Sequence, residues 1–508
     1  MKTVPDHTYS RLCEHVREIA LLQSIEGLLE WDERTGLPAA AGPYRADQMS
    51  YLAGRIHQLW TDARMADWLA ELAGSPLAAD PQSDAAVTVR ELRRHYDKKV
   101  RLPQALVEEL SRAAVLGQQA WVVAREANDF AGFRPLLERI VDLKREEAAA
   151  YGFVESAYDP LLDDYEPAAS TAEVSRVLAG LREELVPFLA TIVNAPRFDE
   201  LNRDALDGDF PLDVQAAFGR QAAEQVGFDF QAGRLDVSAH PFCTQLGPLD
   251  HRLTTRYNQR DMAEALFSTL HEVGHGLYQQ GLPAEHFGLP LGEAISLGIH
   301  ESQSRLWENL VGRSRSYWKW MYPRAQRAFP AALSVVDEER FYRLINQVRP
   351  SLVRIESDEV TYNLHILVRF ELEQELLADD LQVADLPDAW HDRYQQYLGV
   401  APQNHAEGVL QDIHWSAGAI GYFPTYSLGN LYAAQFFEQA EADLGSLDAL
   451  FRNGKFAPLL EWLVEHIHRH GRRYSAADLV ERVTGHPLSH EPLMRHFRRK
   501  FGPLYGVN

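Results

Sequence analysis

The chain has 508 residues and an ordinary share of hydrophobic residues, 46%, which is enough for a large globular core. Its formal net charge of −23 argues against a nucleic-acid partner, because such binding depends on a basic surface. No run approaches the roughly 18 consecutive apolar residues of a membrane helix, and the first residues lack the apolar core of a signal peptide. Two cysteines, Cys13 and Cys243, cannot form a disulfide framework, so we expect a cytoplasmic protein that does not enter a membrane.

The N-terminal part of the chain, from Thr8 to about Asn194, has apolar residues at helical spacing with few interruptions. The predicted helices follow a first stripe around Leu12 and span Gln48–Leu72, Asp84–Lys99, Gln104–Ala127, Gly132–Ala149 and Thr171–Ile192. No Pro-, Gly- or Ser-rich linker and no internal repeat divides the chain. We therefore expect one mainly α-helical domain over residues 1–508, with two lobes flanking a cleft as the alternative.

The stretch from Gly233 to Tyr257 has a different pattern. Leu235–Ser238 and Arg252–Tyr257 are short and rich in residues that favour strands, and they flank turn-forming prolines and a glycine. We expect a small sheet that leads directly into the next helix. An exposed strand edge at this place can hold a peptide backbone, and the alternative is a hairpin without a substrate role.

The next predicted helix, Asp261–Gln280, contains the sequence His271-Glu272-Val273-Gly274-His275. Histidines four residues apart lie on one helix face, where both can bind one zinc ion at about 2.0–2.1 Å. Glu272 lies about 100° further round the helix, so it can act on a zinc-activated water without being a ligand. The alternative is a pair of ordinary histidines on a solvated face, although chance predicts only roughly 0.1 such patterns in this chain.

A catalytic zinc site needs a third protein ligand. Leu291–Arg313 is predicted to be a second helix, joined to the first by a short loop, and such helices usually lie antiparallel. Glu301, in the middle of this helix, can then face the two histidines and is our third ligand. Glu293 and Glu308 are the rival candidates.

Six motifs in order resemble those of the carboxypeptidase Taq family of zinc metallocarboxypeptidases. They are His240-Pro241-Phe242, Asp250-His251-Arg252-Leu253-Thr254, His271-Glu272-Val273-Gly274-His275, His300-Glu301-Ser302-Gln303, Val353-Arg354-Ile355-Glu356-Ser357-Asp358 and Gly408-Val409-Leu410-Gln411-Asp412-Ile413-His414-Trp415. One departure is Ser357, which stands where the family has alanine. The resemblance implies a large helical metallopeptidase fold with a deep cleft, a homodimer, and peptide substrates with a free C-terminal carboxylate.

The resemblance also suggests substrate-binding residues. Arg354 matches the arginine held to bind the terminal carboxylate, and a guanidinium can grip a carboxylate with two parallel hydrogen bonds. Sequence spacing alone favours a salt bridge from Arg354 to Asp358 instead. Arg252 is expected to assist or to pair with Asp250, and His240 is a further substrate-binding candidate.

His414 is followed by two tyrosines, Tyr422 and Tyr426. A neutral imidazole or a phenol can donate a hydrogen bond to the oxyanion of a tetrahedral intermediate, so we predict a catalytic role for these residues. Which tyrosine faces the metal stays open, and the alternative for His414 is a structural role.

Together these observations predict a zinc-dependent metallocarboxypeptidase of broad specificity, with Glu272 as general base and cobalt as a possible substitute for zinc. Two alternatives remain. One is a zinc oligopeptidase or dipeptidyl carboxypeptidase, which shares the same metal chemistry. The other is a non-catalytic peptide-binding protein on the same scaffold.

Overall fold

The computed structural model describes residues 4–507. The first three residues and the last residue lie outside this range. The first three belong to the N-terminal segment that contributes to the predicted cytoplasmic location. Within residues 4–507, every helix is too short or too polar to cross a membrane.

The N-terminal part is mainly helical, as the apolar spacing predicts. Its helices are α1 (Val4–Thr35), α2 (Gly42–Trp60), α3 (Ala63–Ala73), α4 (Asp84–Arg101), α5 (Gln104–Ala127), α6 (Phe130–Tyr151), α7 (Asp159–Leu162), α8 (Thr171–Val193), α9 (Phe198–Asn202) and α10 (Leu212–Val226). The single helix predicted over Gln48–Leu72 is wrong. Asp62 interrupts it, because its side chain accepts a hydrogen bond from the backbone N–H of Arg64 and so caps the start of α3.

A three-stranded sheet follows, formed by β1 (Gly233–Val237), β2 (Cys243–Gly247) and β3 (Asp250–Thr255). The two predicted strands are present as β1 and β3, which pair in parallel with Leu235 opposite Leu253. β2 was not predicted; it pairs antiparallel with β3 on the other side, so the strand order is β1-β3-β2. The sheet lies against the next helix and forms the predicted lead into it.

The remainder of the chain is helical again. Its helices are α11 (Met262–Gly281), α12 (Leu297–Arg305), α13 (Arg315–Ala328), α14 (Pro330–Leu333), α15 (Glu338–Leu344), α16 (Tyr362–Ala378), α17 (Leu386–Leu398), α18 (Pro424–Leu444), α19 (Leu447–Phe451), α20 (Ala457–His466), α21 (Ala476–Thr484) and α22 (Glu491–Tyr505). The helix predicted over Leu291–Arg313 is shorter at its start and less regular at its end. A 3-10 turn at Pro290–Gly292 precedes α12, and a π-helical segment, Leu306–Gly312, prolongs it.

Helix α11 forms where its sequence predicts. Asp261 caps its start by accepting a hydrogen bond from the N–H of Ala263. The apolar residues that recur at helical spacing in this segment are at most 3% exposed: Met262, Leu266, Leu270, Val273 and Leu277. This stripe belongs to the main core, which extends from Ala124 to Tyr505, whereas α1, α3 and α4 share a smaller cluster around Leu12 and Leu69. The structure confirms a mainly helical fold with a small sheet beside α11; the division into one domain or two lobes stays a prediction.

Helices α11 and α12 touch backbone to backbone at Gly274. A Cβ atom at this position would lie 2.4 Å from the carbonyl oxygen of Gln303 and 2.6 Å from the Cα of Ser304. Neither of these atoms can move without shifting α12, so only glycine permits this approach. This contact sets the distance between the two helices and therefore between the side chains that they direct towards each other.

We therefore expect Gly274→Ala to destabilise the protein, although alanine is the better helix former. Overpacking costs about 1–3 kcal/mol and outweighs a propensity gain of about 1 kcal/mol. Gly54→Ala in α2 is the matched control, because no heavy atom lies within 4 Å of its added methyl group, and it should be neutral or slightly stabilising. Thermal unfolding of both variants is the measurement, and equal midpoints would contradict the proposed contact.

Candidate active site

Three potential metal ligands from α11 and α12 meet at one point. His271 Nε2 lies 3.6 Å and His275 Nε2 lies 3.4 Å from Oε2 of Glu301. Ligand atoms held about 2.0–2.1 Å from a tetrahedral ion lie roughly 3.3–3.4 Å from one another. Two imidazole nitrogens and one carboxylate oxygen at these distances therefore fit a single divalent ion.

The other nitrogen of each imidazole is engaged by an acceptor. His271 Nδ1 lies 2.9 Å from Oε2 of Glu308, and His275 Nδ1 lies 3.1 Å from the backbone carbonyl oxygen of His300. Acceptors at both Nδ1 atoms favour the tautomer that carries its proton there, which leaves a lone pair on each Nε2. The surroundings thus prepare the two rings as ligands.

Glu301 is 6% exposed and held in one position from three sides. Arg305 Nε donates to its Oε1 at 2.7 Å, and Ser304 Oγ donates to its Oε2 at 2.9 Å. Gly429 of α18 lies against its aliphatic part, where an added Cβ would come within 2.5 Å of Cγ. Burial favours the neutral acid, but the charge of Arg305 and the neighbouring His271 and His275 outweigh it and hold the pKa of Glu301 well below its usual range.

The two rivals of Glu301 occupy different places. Glu293 is half-buried and forms an ion pair with Arg472 at 3.1 Å. Glu308 is partly buried and lies against Nδ1 of His271. It accepts a hydrogen bond from Nη1 of Arg305 at 3.2 Å, so it orients the ring rather than facing Nε2. Of the three carboxylates considered, the structure brings only Glu301 to both Nε2 atoms.

Glu272 is buried beside the two histidines and close to Cys243 of β2. Its burial raises the pKa of its carboxyl above the ordinary value, and the neighbouring histidines oppose this shift. A carboxylate with a raised pKa accepts a proton more readily, which suits a general base.

Arg354 is buried and forms part of a cluster of two arginines around one aspartate. Its Nε and Nη2 donate to Oδ1 of Asp412 at 2.9 and 2.8 Å, and Nε of Arg369 donates to the other oxygen at 2.6 Å. The local partner suggested by sequence spacing is wrong. Asp358 instead accepts hydrogen bonds from the hydroxyl of Thr361 and from nearby backbone N–H groups, among them that of Arg349.

His414, Tyr422 and Tyr426 lie together next to this cluster. Nε2 of His414 is 3.4 Å from the hydroxyl of Tyr426, and its ring centroid is 5.3 Å from that of Tyr422. Burial lowers the pKa of His414 to about 4, although the charge of Asp412 opposes this shift; the charges of Arg354 and Arg369 add to it, and the ring is neutral at neutral pH. Burial also raises the pKa of both tyrosines, with a further contribution from the charge of Glu301.

The remaining substrate-binding candidates have other surroundings. Arg252 on β3 forms two hydrogen bonds of 2.9 Å with Asp250 and lies over the ring of Trp31, 4.5 Å from its centroid. This is the pairing that was considered as the alternative to substrate binding. His240 is exposed, and its backbone carbonyl accepts a hydrogen bond from Ser238.

Sequence reasoning missed two residues of the site. Arg305 bridges Glu301 and Glu308, and its position four residues after Glu301 was a signal that could have revealed the first pair. Asp412 belongs to the last of the six motifs, but the motif itself does not indicate its partners. Its partners Arg354 and Arg369 lie 58 and 43 residues away, and no local pattern predicts such pairs.

The chain is similar to known proteins along nearly its whole length. A sequence model of the carboxypeptidase Taq (M32) metallopeptidase family matches residues 11–501. Thermostable carboxypeptidase 1 of Thermus thermophilus is 46% identical over 99% of this chain and 100% of its own, and carboxypeptidase 1 of Bacillus subtilis is 34% identical over 98% and 99%. The crystal structure of the M32 carboxypeptidase from Deinococcus radiodurans R1 has a TM-score of 0.93 at 42% identity, covering 99% of this chain and 100% of that one.

These matches confirm the resemblance drawn from the ordered motifs and the expected fold class. They also imply a divalent metal, for which His271, His275 and Glu301 are the candidate ligands. The chain belongs to the carboxypeptidase Taq (M32) family and is a metal-dependent carboxypeptidase that hydrolyses peptides.

Proposed function

We propose that this protein is a zinc-dependent carboxypeptidase of broad specificity that removes single residues from the C-terminus of peptides. The observation that carries the proposal is the charge balance of the arginine cluster. Two guanidiniums, Arg354 and Arg369, share one carboxylate, Asp412, so one positive charge stays uncompensated in a buried place. A peptide's terminal carboxylate supplies the missing negative charge. Every peptide has this group, whatever its last side chain, which supports broad specificity.

The metal ligands in this proposal are His271, His275 and Glu301. Two neutral imidazoles and one carboxylate are a ligand set typical of catalytic zinc, and cobalt accepts the same donors. When bound, the ion supplies a Lewis acid that polarises the scissile carbonyl and makes water more acidic.

The chain's own residues provide the remaining steps. An oxygen of the Glu272 carboxylate takes a proton from the attacking water and passes it to the leaving amine. His414, as a neutral ring, and Tyr422 or Tyr426 donate hydrogen bonds to the oxygen of the former carbonyl as it becomes negative. Arg354 holds the terminal carboxylate and thereby fixes which peptide bond reaches Glu272.

End-group analysis of one long peptide tests the proposal against its alternatives. We expect single residues to appear one after another from the C-terminus. Release of dipeptides or internal fragments would instead indicate a dipeptidyl carboxypeptidase or oligopeptidase, and no release would indicate a peptide-binding protein. Two further predictions remain: the homodimer that the resemblance implies, and the cytoplasmic location expected from the cysteine content and the N-terminal sequence. Light scattering of the purified protein checks the first.

The general base and the third ligand should respond differently to mutation. Glu272→Gln is expected to abolish hydrolysis with metal content still near one ion per chain, because Glu272 is not a ligand. Glu301→Ala is expected to lower metal content itself, since two imidazoles hold a catalytic ion poorly. Elemental analysis of both variants after dialysis is the measurement. Loss of metal from Glu272→Gln, or normal metal in Glu301→Ala, would contradict these roles.

The role of Arg354 predicts a matched pair of losses. A charge-assisted hydrogen bond contributes about 1.5–3 kcal/mol, so Arg354→Ala should lower kcat/KM by roughly 10- to 200-fold. Amidating the peptide's C-terminus should lower it for the wild type by a similar factor, because the partner is removed. The measurement is kcat/KM of Arg354→Ala on the amidated peptide. If both losses come from one shared contact, the combined loss should be no larger than either single loss.

Two further variants sharpen this test. Arg354→Lys keeps the charge but not the planar fork, so it should restore only part of the activity. Arg252→Ala serves as the comparison, because Arg252 already has its own carboxylate in Asp250. The effects of mutation and of substrate amidation on kcat/KM are compared for both arginines. If the two effects multiply for Arg354→Ala but not for Arg252→Ala, Arg252 binds the terminal carboxylate instead.

A further inference from the structure

The segment between α17 and α18, residues 399–423, is called the active-site loop here because it carries His414 and Tyr422. Its regular structure is limited to one 3-10 turn, Trp415–Ala417. A segment of this length without its own helix or strand depends on contacts with the rest of the protein to keep one conformation. The position of two proposed oxyanion donors therefore depends on what anchors this loop.

Glu373 of α16 provides such an anchor. Its side chain is fully buried and accepts three hydrogen bonds: from Nε1 of Trp415 at 2.7 Å, from the backbone N–H of Gly421 at 3.1 Å, and from the hydroxyl of Tyr158 at 2.6 Å. Trp415 directly follows His414, and Gly421 directly precedes Tyr422. One carboxyl group thus holds the loop immediately beside both proposed donors.

The backbone of the loop leaves little freedom at the second contact. Gly421 has φ of 94°, a conformation that favours glycine, and a Cβ there would lie 2.8 Å from the backbone of Leu161 in α7. The loop is therefore fixed between Glu373 on one side and α7 on the other. Tyr426, by contrast, belongs to α18 and keeps its place through that helix.

We propose that Glu373 is a positioning residue, which places His414 and Tyr422 for catalysis by holding Trp415 and Gly421 of the active-site loop. The inference rests on the oxyanion role proposed for His414 and Tyr422. It assigns Glu373 no contact with substrate; its effect passes through the loop.

A carboxyl group is needed because all three partners point donors at it. In Glu373→Gln the amide NH₂ must replace one oxygen. At Oε1 it faces the indole N–H of Trp415, and at Oε2 it faces the N–H of Gly421. The hydroxyl of Tyr158 can rotate to avoid a clash, but neither loop donor can. Either orientation of the amide therefore releases one of the two loop anchors.

The test compares Glu373→Gln with the removal of the Tyr158 hydroxyl, the donor to the same carboxyl group that does not belong to the loop. Glu373→Gln should lower kcat about tenfold or more with KM within about twofold of wild type, because an interaction with the transition state is misplaced. Its metal content should stay unchanged. Hydrogen exchange of a peptide covering residues 411–423 should become faster. Tyr158→Phe removes a donor outside the loop and should keep kcat within about twofold.

A rescue separates positioning from a loss of stability. Trp415→Phe removes the N–H that faces the new amide, so Glu373→Gln/Trp415→Phe should regain part of the lost kcat and slow the exchange of the loop again. Losses that multiply in this double variant would overturn the proposal. So would an equal fall of kcat in Tyr158→Phe, because it would show general destabilisation.

His414→Ala distinguishes this inference from the function on which it rests. If His414→Ala leaves kcat unchanged, the oxyanion role of His414 fails. If hydrogen exchange of the loop is still faster in Glu373→Gln, then Glu373 anchors the loop and still positions Tyr422. In that case the loss of kcat in Glu373→Gln should persist. Unchanged exchange in Glu373→Gln overturns the anchoring, whatever His414→Ala does.

Discussion

The site depends on the close approach of α11 and α12 at Gly274. The two helices contribute all three candidate ligands, and neither can hold an ion alone. Their separation at this point is set by backbone atoms of Gln303 and Ser304, which lie two and three residues after the candidate ligand Glu301. Gly274, inside the histidine motif, permits this close approach because it has no Cβ, and the approach fixes the distance between the imidazoles and the carboxylate.

Much of the fold was predictable, and the failures have both local and non-local causes. The helix predicted over Asp261–Gln280 follows from the periodicity of its apolar residues and is present as α11. Strand β2 was missed because Cys243–Gly247 contains few residues that favour strands. The partner of Arg354 was missed because spacing suggests Asp358, whereas burial of two arginines demands a shared carboxylate far along the chain.

The chain as a whole is acidic, whereas the arginine cluster of the candidate site is positively charged. The chain has a net charge of −23, which opposes the approach of an anionic peptide end. Arg354 and Arg369 around Asp412 are buried, so their excess positive charge is weakly screened and interacts strongly with an anion that enters the site. In the proposed function, recognition of a terminal carboxylate therefore depends on contact inside the site, because the net charge of the whole chain does not attract it.

The glycine of α18 that lies against Glu301 has a consequence for exchange kinetics. Gly429 packs against the aliphatic part of Glu301 and Arg305 holds its Oε1, so a change of rotamer has to break this hydrogen bond or disturb this packing. If Glu301 is a metal ligand, we expect release of the ion to be helped by local separation of α12 and α18, a rare opening of buried structure. The exchange rate of the ion would then depend on local opening of the two helices and could change without a change in affinity.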